Sequence, residues 1–109
     1  MEVQVGNVDA AGFETLRVLG DCDLYNAQHL TAAALERLAR GVMRLRIDMA
    51  EVNYLDSTGV GAIIRLVQSA KKMGRELRFS GISGTPRRVL TMSNIISIVK
   101  EDFAPGSAR

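Results

Sequence analysis

What this chain lacks narrows its chemistry before any motif is considered. It has one cysteine, one histidine and no tryptophan. A lone Cys22 leaves no internal disulfide, and with His29 as the single imidazole no metal cage of cysteine and histidine can form. Cys22 therefore reads as a small buried apolar residue. Only two prolines interrupt the chain and aromatic residues make up 5% of it, so few rings are present to stack nucleic-acid bases. No apolar run approaches the roughly 20 residues that span a bilayer, and Met1-Glu2-Val3-Gln4 has neither the basic start nor the apolar stretch of a signal peptide. The expectation is a cytoplasmic protein without a membrane partner.

What is present suits an ordinary globular domain. The 109 residues are 47% hydrophobic and 24% charged, near the commonest size for one domain. Net charge is +2, but residues 1–55 carry five basic and eight acidic side chains while 56–109 carry nine and four. The basic residues, among them Arg65, Lys71, Lys72, Arg75, Arg78, Arg87 and Arg88, are dispersed rather than clustered. Direct nucleic-acid binding is therefore not expected.

Hydrophobic periodicity supplies the elements. Val3 and Val5 alternate with polar neighbours, as do Leu16 and Val18 in Glu14 to Leu19, and the two strands read as a hairpin. A polar connection, Asp21 to Asn26, leads into a helix with apolar positions Ala27, Leu30, Leu35 and Leu38, ended by Gly41; His29 falls on its solvent side. Leu45, Ile47 and Met49 form a third strand. The longest amphipathic run, Val60 to Met73, is a helix stopped by Gly74, and Glu76 to Ser80 is a fourth strand. Thr85-Pro86 opens a further helix with Thr85 as its cap, and Ile95 to Val99 is either a short edge strand or a terminal turn. This cadence gives an α/β domain over residues 1–103, a mixed sheet of about four to five strands with three to four helices packed against it, and a flexible C-terminal tail at 104–109.

One stretch stands out as a site. In Asp56-Ser57-Thr58-Gly59-Val60-Gly61 three residues able to cap a helix precede the central helix, so one of them is its N-cap and hydroxyls are held at a surface helix start. Sites in open α/β sheets gather at the carboxyl ends of strands, and a crossover of the first helix would bring Asp21, Asp23 and Tyr25 toward Ser57. No catalytic set accompanies it: a serine hydrolase lacks its base, Gly59-Val60-Gly61 has Ile64 where a dinucleotide fingerprint needs a small residue, and there is no phosphate loop. The chain is not expected to be an enzyme or to need a cofactor or metal. The free N–H groups and dipole of a helix start do suit a phosphate.

These residues, with Leu45-Arg46-Ile47-Asp48-Met49 before them, Gly20-Asp21-Cys22-Asp23 at the head of the first helix, and the run from Lys72-Met73-Gly74 to Pro86-Arg87-Arg88-Val89-Leu90, resemble the STAS domain of bacterial anti-sigma factor antagonists over residues 3–100. The resemblance implies that an anti-sigma factor with serine kinase activity phosphorylates Ser57, with Thr58 the second candidate, and that a serine phosphatase reverses it. The unphosphorylated form would bind the anti-sigma factor and free its sigma factor. Partner contact would fall on Asp23, Tyr25, Asn26, Asp56, Thr58, Gly59 and Gly61, in a monomer or weak dimer. The alternative is a STAS interaction module without the switch, serving a signalling or transport-associated complex. The chain departs from the family's usual Gly-Glu-Leu-Asp at Gly20 to Asp23, and from a frequent glycine near Asn94, where only a turn is expected to feel the difference.

Overall fold

A computed structural model describes residues 1–102; the tail expected at 104–109 lies outside the described residues. The order of elements is β1 (Glu2–Val8), β2 (Glu14–Leu19), α1 (Ala27–Ala39), β3 (Arg44–Glu51), α2 (Ser57–Met73), β4 (Glu76–Ser80) and α3 (Gly84–Met92), followed by a 3-10 turn at Ile96–Ile98. The four strands form one sheet in the order β1-β2-β3-β4. β1 and β2 pair antiparallel, as a hairpin must, and β2, β3 and β4 run parallel because α1 and α2 carry the chain back between them.

Register explains the core. Leu16, Ile47 and Phe79 sit side by side across the three parallel strands, and each is fully buried. With Val18, Leu45, Met49 and Leu77 they meet Leu30, Ala34 and Leu38 of α1 and Ile63, Leu66 and Ala70 of α2. The residues between them on the strands point the other way, since strand side chains alternate. There Arg46 and Arg78 share the Asp102 carboxylate, at 2.9 and 3.1 Å, so the outer face is closed by ion pairs instead of helices. On the helix side, Arg37 in the last turn of α1 grips Glu14 at the start of β2 through two hydrogen bonds of 2.7 and 2.8 Å.

Two local expectations change. Thr85 does not cap α3; the cap position is Ser83, in extended backbone, and the helix starts at Gly84, two residues before a Thr85 cap would start it. Gly84 enters with φ +58°, which glycine alone adopts freely, so the start moves ahead of the threonine, while Pro86 stays in the first turn. The apolar segment after α3 resolves as the terminal turn, Ile96–Ile98, not an edge strand. Among the described residues, a single parallel bridge between Glu101 and Phe79 extends the sheet beyond β4. Asn94, near which the resemblance leads one to expect a glycine, has φ +59°; asparagine tolerates this conformation better than most residues because its short polar side chain can bond locally.

Candidate functional site

The site lies at the carboxyl ends of β2 and β3, where the loops leading into α1 and α2 run beside each other. Their backbones are joined: the Cys22 N–H donates to the Tyr54 carbonyl at 3.0 Å and the Asp56 N–H to the Cys22 carbonyl at 3.3 Å. Asp56 then fastens both loops with one side chain. Its Oδ1 accepts from the Gly59 N–H at 3.0 Å, which makes it the N-cap of α2, and its Oδ2 accepts from the Leu24 N–H at 3.0 Å, 32 residues away in sequence. Of the three possible caps the aspartate takes the role, since a carboxylate has an oxygen for each N–H.

Ser57 is therefore released from capping. It is the first residue of α2 and is exposed. Among the described residues its hydroxyl takes part in no hydrogen bond, and the N–H groups of Ser57 and Thr58 have no acceptor, as befits a helix's first turn. Thr58 is exposed beside it.

The two glycines that follow differ in kind. A Cβ on Gly59 would stand 2.4 Å from the Cys22 carbonyl oxygen and 2.5 Å from Leu55 Cδ1, so α2 can approach the α1 loop this closely only without a side chain. A Cβ on Gly61 would meet nothing within 4 Å. Gly61 instead lines an open groove of about 420 Å³ between α1 and α2, with Thr58, Arg65, Thr31 and Leu35. The absence of a side chain there widens the groove and is not required by packing.

The α1 loop is ordered by its own carboxylate. Asp23 Oδ1 accepts from the Tyr25 and Asn26 N–H groups, both at 3.0 Å, and its carbonyl accepts from Ala27 at 2.8 Å. Asp23 thus starts α1, while the half-buried Asn26 side chain makes no capping bond. Beneath the loops Cys22 is fully buried. Burial first, then the nearby Asp56 and Asp23 charges, push its thiol up to about 11, so it stays neutral.

The structure brings the expected residues Asp23, Tyr25, Asn26, Asp56, Ser57 and Thr58 together at the joined loops, with Gly59 buried beneath them and Gly61 in the adjoining groove. His29 stays on the exposed side of α1. Two residues went unnoticed in the sequence. Leu24 is 65% and Tyr54 47% exposed, and with Tyr25 at 78% they flank Asp56 with apolar surface. An isolated leucine and tyrosine in loops give no periodic signal; only the pairing of the loops puts them together.

The chain is similar to several proteins of known name or structure. The anti-sigma-B factor antagonist of Listeria monocytogenes is 31% identical over 84 residues, covering 76% of this chain and 73% of its own. The protein of the same name from Bacillus subtilis is 28% identical over 96 residues, covering 85% and 87%. The anti-sigma factor antagonist SpoIIAA, solved in its unphosphorylated form, superposes with a TM-score of 0.73 at 17% identity over 93% of this chain and 88% of its own. In its phosphorylated form, described as a Bacillus cell fate determinant, it gives 0.67 at 17% identity, with 93% and 91% covered. At that identity the structural likeness is one of fold. The STAS domain model matches residues 5–106, and the protein belongs to the STAS domain family.

Proposed function

We propose that this chain is an anti-sigma factor antagonist that works by partner switching. Its unphosphorylated form binds an anti-sigma factor that is also a serine kinase, so that the sigma factor is released. Phosphorylation at Ser57 ends that binding, and a serine phosphatase restores it. Asp23, Tyr25, Asn26, Asp56, Thr58, Gly59 and Gly61 form the contact surface. The observation that carries the reading is the division of labour at the start of α2: Asp56 caps the helix with one oxygen and holds the α1 loop with the other, and Ser57 is left exposed with a hydroxyl that, among the described residues, makes no hydrogen bond.

The electrostatics favour a switch that leaves the fold intact. Phosphate adds about −1.5 to −2 charge, and the unpaired N–H groups of the first turn can receive it. Asp56 cannot turn away, because each of its oxygens holds a loop. Roughly three negative charges would then crowd the centre of the contact surface, and like charges there cost several kcal/mol of binding.

Incubation with the cognate kinase and ATP should add the mass of one phosphate to the wild-type chain and none to Ser57→Ala. Full labelling of Ser57→Ala would move the acceptor to Thr58 or elsewhere and defeat the assignment. A wild-type chain that binds the kinase but is never labelled would favour the module without a switch.

A further inference from the structure

A second concavity lies at the other end of α2. Seventeen residues of α-helix extend about 25 Å, so it opens far from Ser57. The last turns of α2, the entry into β4 and the segment after the 3-10 turn enclose a cleft of about 550 Å³, within the range of small-molecule sites. Its apolar lining is Val67, Ala70, Leu77 and Ile98. Ala70 and Leu77 are buried, whereas Ile98 is 42% exposed and forms an open lip.

Lys71, Arg75 and Lys100 bring three positive charges to the same cleft. Among the described residues none of them pairs with a carboxylate, as is also true of the exposed Arg65, Lys72 and Arg88, whereas Arg44, Arg46, Arg78 and Arg87 are paired; what distinguishes the three is that they line one cleft. Lys71 alone could be ascribed to the negative end of the α2 dipole. Lys100 comes from a different segment, and Arg75 shows something the dipole does not explain. Its Nε is buried and has no hydrogen-bond acceptor among the described residues; buried donors are almost always satisfied, and one that is not calls for an acceptor. An apolar trough and three cations without a carboxylate partner, one of them Arg75, whose Nη1 donates to Met43 Sδ at 2.6 Å and whose Nε is unsatisfied, converge on one chemistry.

We infer that this cleft binds a small organic anion with an apolar body, a single-chain carboxylate or phosphate monoester. The head group sits among Lys71, Arg75 and Lys100, and the chain lies along Val67, Leu77 and Ile98. Because the cleft is remote from the joined loops, the inference stands or falls separately from the role of Ser57.

The test is a titration of the uniformly 15N-labelled full chain, followed by amide shifts, with octanoate, octyl phosphate and uncharged octanol as probes. Saturable shifts confined to the end of α2, the start of β4 and residues 98–100 are expected with one or both anions. Octanol should bind about tenfold more weakly or worse, and Lys71→Glu/Lys100→Glu should weaken the anion by about the same factor. Both lysines are exposed, so the melt of the variant should match wild type; Lys71→Gln, milder still, should show a smaller loss in the same direction. No saturable shift, equal binding of octanol, or undiminished anion binding in the charge-reversed variant would overturn the inference. So would sedimentation with phosphatidylglycerol vesicles when neither octyl anion binds, which would assign the cations to a membrane surface.

Discussion

Asp56 ties the local structure together, because one carboxylate caps α2 and holds the α1 loop, adding to the backbone hydrogen bonds through Cys22 that join the two segments. Around it, each neighbour's role follows from the space it has. Gly59 has none: Gly59→Ala must push against a backbone carbonyl, and overpacking of that kind costs about 2–3 kcal/mol, or roughly 10 °C in Tm for a domain of this size. Gly61 has all it needs, so Gly61→Ala should instead stabilise the helix by about 0.5–1 kcal/mol while narrowing the groove. Thermal melts of the two variants should move in opposite directions; a shared direction would contradict the packing described here. Cys22 gives a prediction in pH. Its folded pKa, about 11, lies above the ordinary 9.0, so the unfolded chain ionises first. The contribution of the buried thiol is then full below about pH 9 and fades between pH 9 and 11. Urea midpoints of Cys22→Ala should fall less steeply than wild type across that window, and parallel profiles would show that the thiol is not the group responsible.

At the scale of elements, the pairing of β2 with α1 through Glu14 and Arg37 carries the sharpest energetic consequence. Glu14 is only 8% exposed, and removing its bidentate partner strands a nearly buried carboxylate. Arg37→Met should cost about 2–4 kcal/mol in chemical denaturation, and Glu14→Leu/Arg37→Met should recover most of it, as replacing both members of a buried pair often does. If the double variant is no better than the single, the arginine is acting by packing alone. The elements themselves were largely legible in the sequence. α2 could be read from its three- and four-residue spacing, and β2, β3 and β4 from strict alternation, because one face of each is buried against the other layer. The ends were less legible. The α3 start was displaced because a left-handed glycine lets the helix begin before its threonine, a backbone freedom that no side-chain pattern reports. Ile95 to Val99 could not be assigned from four apolar residues, since such a short run serves a strand or a turn equally.

For the whole molecule, the domain has two ends with different surfaces, joined by α2. One end bears Ser57, the Asp56 clamp and the exposed Leu24, Tyr25 and Tyr54; the other bears the cationic cleft. The excess of basic residues after Asp56 was visible in the sequence, but not their arrangement. Arg78 and Arg87 are paired with Glu76, Asp102 and Glu101, while Lys71, Arg75 and Lys100 line one cleft from separate segments, a placement that exists only once the chain is folded. The same holds for the clamp: an aspartate before a helix was readable as a cap, but its bond to Leu24 spans 32 residues. The central claim is that phosphate at Ser57 changes the contact surface without changing the fold. The most direct test is calorimetric titration of the kinase partner with the chain phosphorylated at Ser57 and with the unmodified chain, both shown to melt alike. Partner switching predicts a loss of roughly a hundredfold or more in affinity on phosphorylation. Affinities within about threefold of each other would contradict it.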